Sequence, residues 1–170
     1  DGKPEVLLTE VKCNDLVVST SGHIYFTETP TKRIHLITAK GEHHVADEGN
    51  VNKPNGISIS PDQRTLAVSD MGGKNVWTWQ IKEDGSLTAG APYMTMEMPL
   101  MPDQSGGAKP GERPASLPLY ATISGGDGMT TESTGRWFVT TTLGVQVFDP
   151  AGRHAGTLAK PSPEAKVVSC

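Results

Sequence analysis

The sequence predicts an all-β chain, a β-propeller of four-stranded blades, on three observations. A strand–turn–strand unit recurs along the chain. Its period is about 40 residues, with room for four short strands, which is the length and content of a propeller blade. No window sustains the i, i+3, i+4 apolar spacing of a helix against the 19 glycines and 13 prolines.

The clearest unit runs from Pro54 to Asp70. Ile57 and Ile59 alternate with Ser58 and Ser60, the period-2 pattern of a half-buried strand. Pro61-Asp62-Gln63-Arg64 supplies the turn, since proline fixes φ and aspartate can bond the backbone ahead of it. Thr65 to Val68 is a short, β-rich partner strand. Residues 14–28 repeat the form around Ser21-Gly22, and residues 127–140 repeat it around Thr134-Gly135. Asn14 and Asn55 stand 41 residues apart; Asn55 and Asp127 stand 72 apart, one period plus 31 inserted residues.

In chain order, Asp1-Gly2-Lys3 reads as a turn and Glu5 to Glu10 as an outermost strand, so residues 1–10 are expected to end a preceding blade. The first complete blade spans 14–49, with Arg33 to Ile37 as third strand and Glu42 to Ala46 as fourth. The second spans 55–98, with Lys74 to Ile81 as third strand, a hairpin turn at Glu83-Asp84-Gly85-Ser86, and Met94, Met96 and Met98 on one face of the fourth. Residues 99–118 replace alternation with Pro, Gly, Ser and Asp and read as an inserted loop, placed beside the channel mouth as a candidate lid. The third blade spans 127–160, with Gly144 to Asp149 as third strand and His154 to Leu158 as fourth; residues 166–170 open another. Propellers close with about four to eight blades. The chain is therefore expected to be one incomplete propeller domain with association-prone open edges.

The formal net charge of −4 and the lack of a Lys/Arg cluster argue against nucleic acid and anionic membrane surfaces as partners. Apolar runs of four residues or fewer are too short to span a bilayer. Cys13 and Cys170 fall in non-adjacent blades, which argues against a disulfide and for two buried thiols.

The first strand of each blade lines the central channel, so the residues opening that strand ring one mouth. Asn14, Asn55 and Asp127 hold this position in successive blades, and Val168 holds it in the next. Three oxygen-bearing side chains are thus expected to converge on one side of the axis. Amide and carboxylate oxygens suit a hard dication such as Ca²⁺ or Mg²⁺, and the absence of His and Cys among them disfavours a zinc-selective site. The competing reading is that Asn and Asp only satisfy the turn before each strand.

Pro54-Asn55-Gly56 with Ser60-Pro61-Asp62 and Leu66-Ala67-Val68-Ser69-Asp70 resembles the central motif of the senescence marker protein/gluconolactonase/luciferin-regenerating enzyme family. Asn14-Asp15 before Ile24-Tyr25-Phe26-Thr27-Glu28 is similar to its preceding blade. Gly126-Asp127-Gly128-Met129 with Gly144 to Pro150 is similar to the following one. The resemblance implies a six-bladed propeller that binds one divalent metal in its channel and hydrolyses sugar lactones and related esters. The metal it implies is Ca²⁺ first, with Mg²⁺, Mn²⁺ or Zn²⁺ as alternatives.

It further implies that Asn55 and Asp127 are metal ligands, that Asp127 is the general base, and that Asn14 contacts substrate and the metal's water. Lys12 stands where some members carry a substrate-binding arginine, and lysine offers a point charge in place of a planar fork. A further ligand of the family, a glutamate in the first blade, is expected upstream of this chain. Glu5 and Glu10 do not match it, since they are read on a fourth strand. The 170 residues alone are therefore expected to bind metal poorly and to be nearly inactive. The alternative function is a non-catalytic propeller acting as a ligand-binding or interaction scaffold, since a fold does not fix its function.

Other prominent residues take plainer readings. His43-His44 is expected on an exposed outer strand, where neighbours face opposite sides. Trp77 and Trp79 share a strand face and are expected between blades. Glu28, Asp70 and Asp149 end strands and are expected to hold turns, and the methionines to pack.

Overall fold

The computed structural model of the chain describes residues 2–100 and 121–170. The lid expected at 99–118 lies outside the described residues apart from Pro99 and Leu100. Strands β1 (Leu16–Val18), β2 (Ile24–Glu28), β3 (Arg33–Ile37) and β4 (His43–Glu48) form one antiparallel sheet in chain order. Strands β5 (Pro54–Ile59), β6 (Thr65–Asp70), β7 (Asn75–Gln80) and β8 (Ala91–Thr95) form the second. Strands β9 (Met129–Thr131), β10 (Trp137–Thr141), β11 (Gly144–Phe148) and β12 (His154–Ala159) form the third. Strand β5 lies beside β1 and β2 on one side and beside β9 on the other. These are propeller blades, four-stranded meanders set side by side through their first strands. No helix occurs among the described residues, and so none is long and apolar enough to cross a membrane.

The turns between first and second strands are built alike. Ser19 N donates to His23 O at 2.8 Å, Ser60 N to Thr65 O at 2.9 Å and Glu132 N to Arg136 O at 3.0 Å. One residue in each turn is left-handed: Gly22 (φ 86°), Gln63 (φ 63°) and Gly135 (φ 89°). Glycine adopts this backbone without steric cost. Gln63 holds it through its side chain, whose Oε1 accepts from Thr20 N of the neighbouring blade at 2.9 Å. Asp62 Oδ1 accepts from Arg64 N at 3.1 Å, the aspartate turn chemistry the sequence predicts.

Period-2 alternation decides which neighbour each side chain meets. On β6, Leu66 and Val68 pack with the first blade's Tyr25 and Ile34, while Ala67 packs with the third blade's Met129 and Trp137. On β7, Trp77 and Trp79 take the first side and Val76 the second. Trp79 is fully buried, with Nε1 donating to Asp47 Oδ1 at 3.0 Å. Met94 and Met96 fill the second interface.

Three local expectations fail. Glu5 to Glu10 forms no strand, because a ladder needs a neighbouring edge and no strand of the described residues pairs with this segment. Cys13 and Cys170 are exposed rather than buried, since both lie outside the strands, where no blade face covers them. Residues 166–170 also form no strand, although Gly128 N donates to Val168 O at 2.9 Å.

Candidate active site

Where β5 and β9 begin, the two inner strands run too close for a side chain between them. Gly56 follows Asn55 on β5, and a Cβ there would overlap the Asp127 carbonyl and stand 2.7 Å from Met129 N. Glycine is required by this approach. The same approach sets Asn55 beside Asp127, near enough for its side chain to favour the ionised Asp127 carboxylate. Asn55 is 6% exposed, and its Nδ2 also lies 3.3 Å from Met71 Sδ as a donor. Asp127 is half-buried and borders a cleft of about 260 Å³ with Thr141, Thr142, Lys160 and Val168. Burial pushes its carboxyl above the usual range; the Gly128 amide and the Asn55 side chain oppose the rise, and the Asp15 carboxylate adds to it.

Lys12 and Asn14 are held at the same end of the first blade by their backbones. Asn14 N donates to Thr27 O at 2.8 Å, and Lys12 N to Glu28 Oε1 at 2.8 Å. Both residues are exposed, and among the described residues neither side chain bonds Asn55 or Asp127. The fold therefore joins two of the four sequence-predicted site residues and leaves the other two facing solvent on the adjoining blade.

Asp15 was not singled out by the sequence. Its Oδ1 accepts from Leu16 N at 2.8 Å and its Oδ2 from Ile57 N at 3.1 Å, so one carboxylate bridges the first strands of two blades. The hydroxyls of Thr27 and Ser69, which bond the backbone of Asn55 and Asp127, were also missed. A signal for them exists: Thr27, Ser69 and Thr140 each stand one residue before the end of a second strand.

The strand-end carboxylates hold turns, as their positions suggest. Asp70 accepts from Lys53 N at 2.8 Å and Gly72 N at 3.0 Å, and Asp149 from Ala151 N at 2.9 Å and Arg153 N at 3.0 Å. Glu28 is more deeply tied. Its Oε2 accepts from Thr31 Oγ1 at 2.6 Å and contacts His35 Nε2 at 3.3 Å. His35 is buried, stacks on Phe26 and bonds His43 Nε2 through Nδ1 at 2.9 Å, so the exposed His43 is tied to a histidine inside the blade.

An amide and a carboxylate side by side are hard oxygen donors of the kind Ca²⁺ and Mg²⁺ take, so the Asn55–Asp127 pair fits a divalent cation. Among the described residues no three His, Cys, Asp or Glu side chains gather into a metal-binding group.

Fold and site together define a propeller whose inner strands present paired oxygen donors at one end. Residues 3–170 match the SMP-30/gluconolactonase/LRE-like region, and the chain belongs to this family. It is 26% identical over 162 residues to a gluconolactonase of Zymomonas mobilis, covering 86% of this chain and 41% of that protein. The fold is similar to that of a gluconolactonase from Xanthomonas campestris, with TM-score 0.65 and 21% identity over 95% of this chain and 52% of that one. It is also similar to the calcium-binding protein regucalcin from Agrobacterium tumefaciens, with TM-score 0.64 and 17% identity over 92% of this chain and 48% of that one. The chain spans about half the length of these proteins.

Proposed function

We propose that the protein containing this chain is a metal-dependent hydrolase opening sugar lactones, with Asn55 and Asp127 among its metal ligands. Family membership across residues 3–170 supports the reaction class, and the close approach of the Asn55-Gly56 backbone to Asp127 is the observation that carries the site. When bound, a divalent cation, Ca²⁺ before Mg²⁺, Mn²⁺ or Zn²⁺, polarises the lactone carbonyl and stabilises charge on its oxygen. Asp127 takes the proton of the attacking water, with one carboxylate oxygen serving the cation and the other the water. The proton passes to the alkoxide released as the ring C–O bond breaks, leaving the open hydroxy acid. Asn14 orients substrate oxygens through its amide, and Lys12 offers positive charge to the sugar acid.

Hydrolysis of a sugar-lactone panel by the full-length protein, with and without chelator, tests the reading. Chelator-sensitive ring opening, restored by added divalent cation, is expected. A folded, metal-replete protein that opens no lactone would overturn it in favour of a non-catalytic binding propeller.

A further inference from the structure

Two buried hydroxyls make the same bond at the same place in consecutive blades. Thr27 Oγ1 donates to Asn55 O at 2.6 Å and accepts from Asp15 N at 3.2 Å. Ser69 Oγ donates to Asp127 O at 2.7 Å and accepts from Gly56 N at 2.9 Å. Each hydroxyl therefore ties the backbone just after one blade's opening residue to the carbonyl of the next blade's opening residue. Both residues are 0% exposed, so water does not compete for these bonds. A backbone amide could not replace the hydroxyl, because the same atom must accept on one blade and donate to the next.

These clamps act where the sheet ladder gives little support. Register between β5 and β6 shifts between Pro54 and Ile57, so Asn55 lies in the irregular stretch. Asp127 precedes β9 by two residues and falls outside the β9–β10 register. Its amide reaches Thr140 O at 2.8 Å, but among the described residues the donor to its carbonyl is Ser69. Likewise, Thr27 donates to Asn55 O. The third hydroxyl of the series, Thr140 Oγ1, bonds Gly128 O of its own blade at 3.0 Å and, among the described residues, clamps no opening residue.

We propose that Thr27 and Ser69 are positioning residues for the paired donors. By holding the carbonyls of Asn55 and Asp127 they fix where those two side chains leave the backbone, and hence the separation of the oxygens offered to a cation. This rests on the reading of Asn55 and Asp127 as metal ligands.

The test uses the full-length protein. Ca²⁺ and Mn²⁺ affinities are measured by calorimetry and melting temperature by circular dichroism. The variants are Thr27→Val and Ser69→Ala, with Thr140→Val as a matched loss of a buried hydroxyl, Thr27→Ser as the conservative rescue, and Asn55→Ala and Asp127→Ala as ligand controls. Thr27→Val and Ser69→Ala are expected to weaken metal binding at least about tenfold, as loss of a group supporting a ligand does, with Thr140→Val within about twofold and Thr27→Ser restoring affinity. Wild-type affinity in Thr27→Val and Ser69→Ala, or an equal loss in Thr140→Val, overturns the clamp and leaves the hydroxyls as fold supports. Unchanged affinity in both ligand controls removes the ligand reading and the clamp with it, which separates the two failures. Thr27→Val is isosteric, so it decides the question alone if Ser69→Ala does not fold.

Discussion

The start of β9 and the end of β2 each hold a carboxylate drawn out of solvent, and their surroundings act on them in opposite directions. Burial pushes Asp127 up, only partly opposed by the Gly128 amide and the Asn55 side chain. The Thr31 hydroxyl and the Lys12 amide, helped by His35, hold Glu28 below the usual carboxylate range despite its burial. The number and quality of donors decides between the two outcomes. A buried carboxylate whose oxygens are taken by several donors is a strut. One left with fewer keeps its affinity for a proton.

The largest effect that can break this contrast is on turnover. Asp127→Asn in the full-length enzyme is expected to cut lactone hydrolysis by about 10² to 10⁴, the usual weight of a general base. Because folding raises the Asp127 pKa, its ionised form is a cost to the metal-free folded state at neutral pH, so in the presence of chelator the variant should melt no lower than wild type. Wild-type turnover in a folded Asp127→Asn protein, measured in steady state, would remove its role.

Glu28→Gln should show the reverse. It weakens three contacts of a buried side chain, and a loss of about 1–3 kcal/mol is expected in denaturant unfolding, with kcat near wild type. An unchanged midpoint would show that Glu28 is not a strut.

Acid should sharpen the comparison next. Glu28 has a lowered pKa in the fold, so its contribution is present above its unfolded value and is lost as pH falls through the folded one. Burial, opposed by Glu28, lowers the His35 pKa as well; the unfolded chain then takes up a proton below about pH 6.5 that the fold resists, and stability is lost in the same direction. Melting temperature should therefore fall steadily as pH drops from about 7 to 4, and His35→Phe should flatten the upper part of that decline. A pH-independent melting temperature over this range would contradict both assignments.

The smallest effect is a control at the interface between the first two blades. Tyr25 Oη donates to Gly85 O of the next blade at 2.7 Å, and burial, aided by Asp84, pushes its hydroxyl up to about 12. Tyr25→Phe should cost about 1 kcal/mol in unfolding while leaving turnover and the acid profile alone. A change in either would mean that the blade interface and the channel mouth are coupled.

Much of the fold is written locally. Alternation of Ile57 with Ser58 and of Trp77 with Val76 states which face of a strand is covered, and Ser21-Gly22, Pro61-Asp62 and Thr134-Gly135 state where the chain reverses. The period of about 40 states that these pieces are blades. Such features are legible because a strand's side-chain period and a turn's backbone needs depend on residues only a few positions apart. Where covering depends on a neighbouring edge, local pattern misleads. Glu5 to Glu10 reads as a strand and has no strand partner, and Cys13 reads as buried and is exposed.

By itself, then, the sequence determined the blade architecture and its turns, and it set Asn55 at the start of β5 and Asn14 and Asp127 just ahead of β1 and β9. Only the tertiary structure decided that Asn55 meets Asp127 while Lys12 and Asn14 face solvent. It also decided that Gly56 is there to let two backbones pass, and that Glu28 is sealed by His35. The hydroxyl clamps belong with these, since Thr27 reaches 28 residues ahead to Asn55 and Ser69 reaches 58 ahead to Asp127. The physical reason is that each contact joins strand ends whose approach is set by packing and by the irregular register at the start of β5, and neither is encoded in the short-range pattern of any one strand.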